Sequence, residues 1–131
     1  MALEEQLSAL RALHLPTGAY AVFGGSALAL HGLREASDLD IAVTKTLFQK
    51  LAKEHEKDPD ADSMQLGELD IWCKWLPDGT LPDKYIARAT QIRGVPVATL
   101  EDMLDWKRRM NREKDQKDIT LITAWLGRKG K

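Results

Sequence analysis

One order of predicted elements constrains the fold more than any other feature of the sequence. It begins with a strand that ends in two glycines, continues with a short helix, and ends with a second strand that carries aspartates. The segment reads YAVFGGSALALHGLREASDLDIAV and spans residues 20–43. The apolar run before Gly24 and Gly25 predicts a buried strand that leads into a tight turn. Ser26 predicts the N-cap of a short helix that ends near Gly32. Strand and helix alternating in this way indicate a domain in which helices cover a sheet.

The aspartates of the predicted strands would share one face of that sheet. Side chains alternate along a strand, so Asp38 and Asp40 point to one side, about 7 Å apart at their backbones, while Leu39 points to the other. In ELDIWCKW the same alternation separates Asp70 from Leu69. Like charges held close weaken folding unless a cation intervenes, and oxygen-only ligands favour magnesium or manganese over zinc. A solvated sheet face would explain a lone D-x-D without any cation.

The glycine turn is a second signal that points to phosphate. A glycine turn at a helix N-terminus offers backbone N–H groups and a positive dipole, which suit a polyphosphate. Gly24 and Gly25 allow close approach, and Ser26 adds a hydroxyl donor. Taken alone, these residues are better explained as a plain turn and helix cap. Combined with metal-binding acids, they describe a nucleoside triphosphate site for phosphoryl-group displacement assisted by two metal ions.

The rest of the chain predicts a single domain over residues 1–131. The remaining predicted elements are an N-terminal helix within 1–16, a charged helix at 44–58, a loop and then a strand at 68–75, one or two strands at 90–99, helices at 100–112 and 114–126, and a basic tail at 127–131 that is expected to be disordered. This order predicts an α/β (α+β) fold with a small mixed β-sheet flanked by helices.

Composition argues against several classes of protein. The formal charge of -1 does not suggest a broad electrostatic grip on nucleic acid. Cys73 is the only cysteine, so no internal disulfide forms and a reducing compartment is expected. No run approaches the roughly 18 apolar residues of a membrane helix, so we expect a cytoplasmic protein without a membrane partner. His14, His31 and His55 form no cluster, and none is assigned to a metal.

Lys107 lies on the apolar stripe of the predicted helix at 100–112. It shares this stripe with Met103, Leu104 and Met110. A lysine on the face that meets the core must either extend to solvent or reach an anion. The sequence therefore predicts an anionic partner or a snorkelling side chain at this position.

These motifs resemble the DNA polymerase β-like nucleotidyltransferase superfamily. The family motif hG[GS], followed after about ten residues by [DE]h[DE]h, is similar to GGSALALHGL and SDLDIAV, and Asp70 in GELDIWCKW is similar to the third family acid. The segment VPVATLEDMLDWKRRMNREKDQKDI resembles the minimal, AbiEii-like prokaryotic branch, which carries a helix with a central lysine and an R-x-K-D-x-x-D-I pattern. The resemblance covers residues 18–122. Ala36 departs from it, because many relatives carry Thr or Ser there.

The resemblance implies a nucleotidyltransferase fold and the transfer of a nucleoside monophosphate from a triphosphate to a hydroxyl, with release of pyrophosphate. It places catalysis and two magnesium or manganese ions on Asp38, Asp40 and Asp70, and nucleotide binding on Gly24, Gly25, Ser26 and Lys107. The acceptor would be a protein or an RNA, and a small helical partner protein would complete a toxin–antitoxin pair. An antibiotic O-nucleotidyltransferase of the aminoglycoside or lincosamide type and a non-catalytic nucleotide-binding or protein-interaction module are the alternatives.

Two further residues belong near the predicted site. Trp72 shares a strand face with Asp70, where it would stack on a base or an acceptor, or else serve the core like the other tryptophans. Arg34 is similar to a frequent family arginine near the mouth of the site, and a surface salt bridge explains it nearly as well.

Overall fold

The structure is a computed structural model that describes residues 3–35, 39–74 and 81–129. Asp38, one of the predicted metal ligands, lies outside these residues. The strands are β1 (Tyr20–Phe23), β2 (Leu39–Val43), β3 (Ser63–Leu66), β4 (Leu69–Trp72), β5 (Thr90–Ile92) and β6 (Val95–Val97). The helices are α1 (Leu3–Ala12), α2 (Gly24–Leu30), α3 (Lys45–Glu54), α4 (Asp83–Ala87), α5 (Leu100–Met110) and α6 (Gln116–Lys129), and a 3₁₀ turn at Glu113–Asp115 joins α5 to α6.

The strands formed by the described residues make one six-stranded mixed sheet in the order β3-β4-β2-β1-β6-β5. β1 pairs antiparallel with β2 and parallel with β6. β2 pairs parallel with β4, and antiparallel partners β3 and β5 form the two edges. The predicted mixed α/β fold is confirmed.

Alternation along β2 and β4 separates the acids from the core. Leu39 and Ile41 are fully buried, whereas Asp40 between them is partly exposed. Leu69 and Ile71 are likewise buried on either side of the partly exposed Asp70. The predicted division of the two strand faces is therefore correct for these residues.

Aromatic contacts fix helices α4 and α5 on the face of the sheet that carries Asp40. Phe23 is the register partner of Asp40, so their side chains share that face. The Phe23 ring meets the edge of Tyr85 on α4 at 5.6 Å and of Trp106 on α5 at 5.9 Å between centroids. Tyr85 donates a hydrogen bond of 2.6 Å to Asp105, and burial followed by this bond raises the pKa of Tyr85 to about 12. These contacts hold α5 on the same face of the sheet as Asp40, so that the helix faces the acid.

Helix α2 begins earlier than the sequence predicts. Ser26 is not its N-cap, because the helix starts at Gly24 and Phe23 occupies the capping position without a side-chain cap. Ser26 is fully buried inside the helix. The strand thus passes directly into the helix, with Gly24 at φ +66 as the residue that makes the change of direction.

Three other elements differ from the prediction. The segment Ser63–Leu66 was expected to be part of a loop, and it instead forms β3, which pairs with β4 through a turn at Gly67. Helix α4 was not predicted. Helix α6 continues to Lys129 and so includes part of the tail that was expected to be disordered. None of the helices in the described ranges has the length and apolar character that crossing a membrane requires.

Cys73 directly follows β4 and is buried. Its thiol donates to the carbonyl oxygen of Ala61 at 3.6 Å. Burial, reinforced by the Asp62 carboxylate, raises the pKa of the thiol. The group is therefore protonated at neutral pH.

Candidate active site

A half-open cavity of about 470 Å³ lies between the sheet and the corner formed by α5 and α6. Its sheet side is lined by Gly24, Gly25, Asp40 and Trp72, and its helix side by Trp106, Lys107, Met110, Arg112, Lys114, Asp115 and Asp118. Arg34 and Lys74 complete the lining. This volume falls in the range of small-molecule sites. The cavity brings together four of the seven predicted site residues, namely Gly24, Gly25, Asp40 and Lys107.

Asp40 and Asp70 are register partners on the adjacent parallel strands β2 and β4. Neighbouring strands lie about 4.8 Å apart and register partners share a face, so the two carboxylates project side by side. Asp70 does not itself line the cavity, although its partner does. The described residues contain no group of three His, Cys, Asp or Glu side chains that could hold a metal ion, and Asp38 lies outside them. Two of the three predicted acids are thus adjacent.

The Asp40 carboxylate occupies the space that a side chain at Gly24 would need. A Cβ atom at Gly24 would lie 2.6 Å from Oδ2 of Asp40, which is closer than real contacts allow. Gly24 also has φ +66, a conformation that side chains other than glycine rarely adopt. The absent side chain therefore leaves room for the carboxylate at the point where β1 turns into α2. Ser26 does not line the cavity, and its predicted contact with the triphosphate stays a prediction.

Lys107 has two carboxylate partners at the back of the cavity. The side chain is 4% exposed, and its Nζ lies 3.0 Å from Oδ1 of Asp115 and 3.2 Å from Oδ2 of Asp118. The anion that the sequence predicts for this lysine is therefore supplied, at least in part, by the chain itself. Whether a phosphate oxygen also contacts it stays a prediction.

Two arginines also donate hydrogen bonds to these carboxylates. Arg112 donates to Asp115 from Nε at 2.5 Å and from Nη2 at 3.1 Å. Arg34 donates from Nη1 to both oxygens of Asp118 at 2.8 Å. Burial would raise the pKa of Asp115, but the hydrogen bonds from Arg112 and Lys107 outweigh it and hold that pKa below its usual value. Asp115 is therefore ionised at neutral pH.

The cavity lining carries an excess of positive charge. Among the described residues that line it, five are basic, namely Arg34, Lys74, Lys107, Arg112 and Lys114, and three are acidic, namely Asp40, Asp115 and Asp118. Arg34, Lys107 and Arg112 are paired with Asp115 and Asp118, but the lining as a whole keeps more basic than acidic side chains, which favours an anionic ligand.

Sequence reasoning missed the double role of Trp106. It was assigned to the core, and it is indeed largely buried against Phe23. It also lines the cavity and carries the Lys107 ammonium and the Arg112 guanidinium over its ring, at 5.1 Å and 5.4 Å from the centroid. Its position immediately before Lys107 was the available signal. His31, by contrast, places Nε2 2.9 Å from the carbonyl oxygen of Ala98, a packing role outside the cavity.

No protein-family model matches this sequence, and no curated protein matches it significantly. Among solved structures, the chain is similar to the crystal structure of a proposed nucleotidyltransferase, TM1012 from Thermotoga maritima. The two chains are 19% identical, superimpose with a TM-score of 0.59, and the similarity covers 98% of this chain and 96% of the other. At this level of identity the likeness concerns the fold. The chain therefore has a nucleotidyltransferase fold.

Proposed function

We propose that this chain is a metal-dependent nucleotidyltransferase that moves a nucleoside monophosphate from a nucleoside triphosphate to a hydroxyl group. The close approach of Gly24 and Asp40, in a cavity whose lining has more basic than acidic side chains, carries this proposal. This arrangement places a glycine turn that would bind phosphate next to a carboxylate that would bind a cation. The adjacent Asp70 extends the acidic surface.

The triphosphate would lie between the glycine turn and the basic wall. Gly24 and Gly25 would offer backbone N–H groups to the phosphate oxygens, and Lys114 and Arg112, which line the same cavity, would supply positive charge. An ammonium group has three N–H donors. Asp115 and Asp118 take up two of those on Lys107, and a phosphate oxygen would accept the third. Lys107 would thus contact both the phosphate and the two aspartates near the junction of α5 and α6.

The acids fit a hard divalent cation. Asp40 and Asp70 offer only oxygen ligands, project side by side, and suit magnesium or manganese. Asp38, two residues before Asp40 in the sequence, would complete the set for two ions. When bound, such ions lower the pKa of an attacking hydroxyl and neutralise charge that develops on the phosphate oxygens.

The reaction would form a bond between the acceptor oxygen and the α-phosphorus and break the bond from that phosphorus to the oxygen that bridges to the β-phosphate. The bonding electrons leave with pyrophosphate, and Asp70 would take the acceptor proton and pass it to water. The resemblance to the minimal, AbiEii-like branch supports a small helical partner protein and a toxin–antitoxin role, which are part of this proposal.

The test is the melting temperature of the native chain and of Asp40→Asn with each of four ribonucleoside triphosphates, with and without magnesium. Ligand at a hundred times its dissociation constant should stabilise the native chain by about 2.7 kcal/mol. Asp40→Asn should lose this shift, while Asp60→Asn, at an exposed carboxyl outside the cavity, should keep it. A native chain that no nucleotide stabilises would contradict the proposal. Stabilisation without pyrophosphate release would instead identify a non-catalytic nucleotide-binding module.

A further inference from the structure

An ion pair connects the loop after α2 to helix α6 beside the candidate active site. Arg34 follows the end of α2, and Asp118 lies in the first turn of α6. Nη1 of Arg34 donates to both carboxylate oxygens of Asp118 at 2.8 Å. Both residues line the candidate active-site cavity, and both also line a second cavity of about 500 Å³. The pair therefore borders two spaces that a ligand could enter.

Asp118 binds Arg34 in the way that a phosphate group would. A guanidinium holds carboxylates and phosphates with the same planar arrangement of N–H donors. A triphosphate carries several negative charges and a carboxylate carries one, so a triphosphate in the cavity would compete for the arginine. The side chain of Arg34 is 36% exposed, so its guanidinium can turn from one anion to the other while it stays in contact with water.

The exchange would leave no buried charge without a partner. Asp118 is 9% exposed, and a carboxylate this buried is costly when it is left alone. Its Oδ2 also lies 3.2 Å from Nζ of Lys107, so Asp118 keeps a cation when Arg34 leaves. Arg112 differs, because its partner Asp115 is only three residues away and its exchange would separate no two elements. The Arg34 pair is thus the link whose exchange would free α6.

We propose that Asp118 is a built-in competitor for Arg34, and that phosphate bound in the candidate site releases α6 from the loop after α2. This regulation rests on the proposed function, which places a triphosphate in the cavity. Nε2 of His31 lies 2.9 Å from the carbonyl oxygen of Ala98 and anchors the end of α2, so α6 is the element whose attachment changes. By linkage, whatever draws α6 away from Arg34 raises the affinity for phosphate.

The first test measures the affinity for inorganic tripolyphosphate by calorimetry, in EDTA so that no metal ion contributes. We expect Arg34→Gln to bind about tenfold more weakly than the native chain, and Asp118→Asn about fivefold more tightly. In the Arg34→Gln background, Asp118→Asn should gain little, because no guanidinium is left to release. Arg88→Gln breaks a similar ion pair with Asp102 away from the cavity lining and should bind like the native chain.

The double-mutant cycle separates competition for the arginine from a general effect of charge. An equal gain from Asp118→Asn with and without Arg34 would show that the gain comes from Lys107 or from the charge of the whole cavity, and would overturn the proposal. Weaker binding by Asp118→Asn, or no binding by the native chain, would overturn it as well.

The second test follows the attachment of α6 and needs no variant. Backbone amides of α6 should exchange with deuterium at least about threefold faster when tripolyphosphate is bound, because the helix loses its tie to the loop after α2. Amides of α3, which does not line the cavity, should keep their rates and serve as the internal control. Exchange in α6 that stays the same or slows on binding would show that Asp118 keeps Arg34, and would overturn the proposal.

Failure of this regulation and failure of the proposed function give different results. A native chain that shows the magnesium-dependent nucleotide shift, but no coupling between Arg34 and Asp118 in tripolyphosphate binding, refutes the competition alone. A chain that shows this coupling without any nucleotide shift supports the competition for Arg34 and refutes the proposed function.

Discussion

Gly24 and Asp40 lie so close together in the candidate site that a side chain at Gly24 would clash with the carboxylate. The sequence predicted both residues and their separate roles, phosphate approach and metal binding. It could not predict that they touch, because the contact depends on β1 and β2 pairing so that Phe23 lies opposite Asp40. The sequence was therefore enough to select the two residues, whereas the distance between them is known only from the structure.

Gly24→Ala should therefore destabilise the chain by more than backbone strain alone. Gly67 has a similar φ of +60 with nothing near its missing Cβ, so Gly67→Ala measures that strain. We expect about 1 kcal/mol for Gly67→Ala and at least twice that for Gly24→Ala, measured by urea unfolding. Removing the carboxylate with Asp40→Ala should recover much of the excess in a double-mutant cycle. Equal losses for the two glycine variants would show that the carboxylate moves aside freely.

At the level of elements, α5 and α6 are joined by a buried charge network. Lys107 on α5 pairs directly with Asp118 on α6 and with Asp115 between the two helices. Arg112 pairs with Asp115, and Arg34 pairs with Asp118. The helical stripe predicted that Lys107 faces inward. It did not identify the partners, since the helix dipole explains acids at the start of a helix almost as well. Only the observed approach of the two helices decides between these explanations.

Asp115→Asn tests this network through its pH dependence. A carboxyl whose pKa is lowered in the folded state contributes stability above its unfolded pKa of about 3.9, and loses it as the pH falls through the folded pKa. Because Asp115 is buried against two cations, we expect a loss of about 3 kcal/mol at pH 7 that shrinks as the pH falls below about 3.9. Glu113→Gln, exposed in the same 3₁₀ turn, should change little. A loss that stays constant at acid pH would argue for packing instead of charge.

For the whole molecule, the fold class followed from the sequence and the strand order did not. The missed elements are β3 and α4, with four and five residues, although the shorter strands β5 and β6 were predicted as one or two strands at 90–99. Segments this short give weak periodicity, so what they form depends strongly on what they pack against. The parallel pairings of β1 with β6 and β2 with β4 join distant segments, which no local pattern specifies.

The stability of the whole chain should respond to divalent ions through Asp40 and Asp70. Without metal the two carboxylates repel each other across β2 and β4. We expect magnesium to raise the melting temperature of the native chain above its value in EDTA. Asp40→Asn should be more stable than the native chain in EDTA, by about 0.5 kcal/mol, and should gain little from magnesium. An equal magnesium effect on both proteins would place the responding ion elsewhere.

A single buried thiol gives this chain an internal reporter. Cys73 lies between Trp72 and Lys74, and burial raises the pKa of its thiol. Thiol reagents need both access and a thiolate, so at neutral pH they should modify Cys73 only when the end of β4 opens locally. The rate of labelling, followed by mass spectrometry on the unaltered chain, then measures how often that strand end opens, and any ligand that rests on it should slow the reaction.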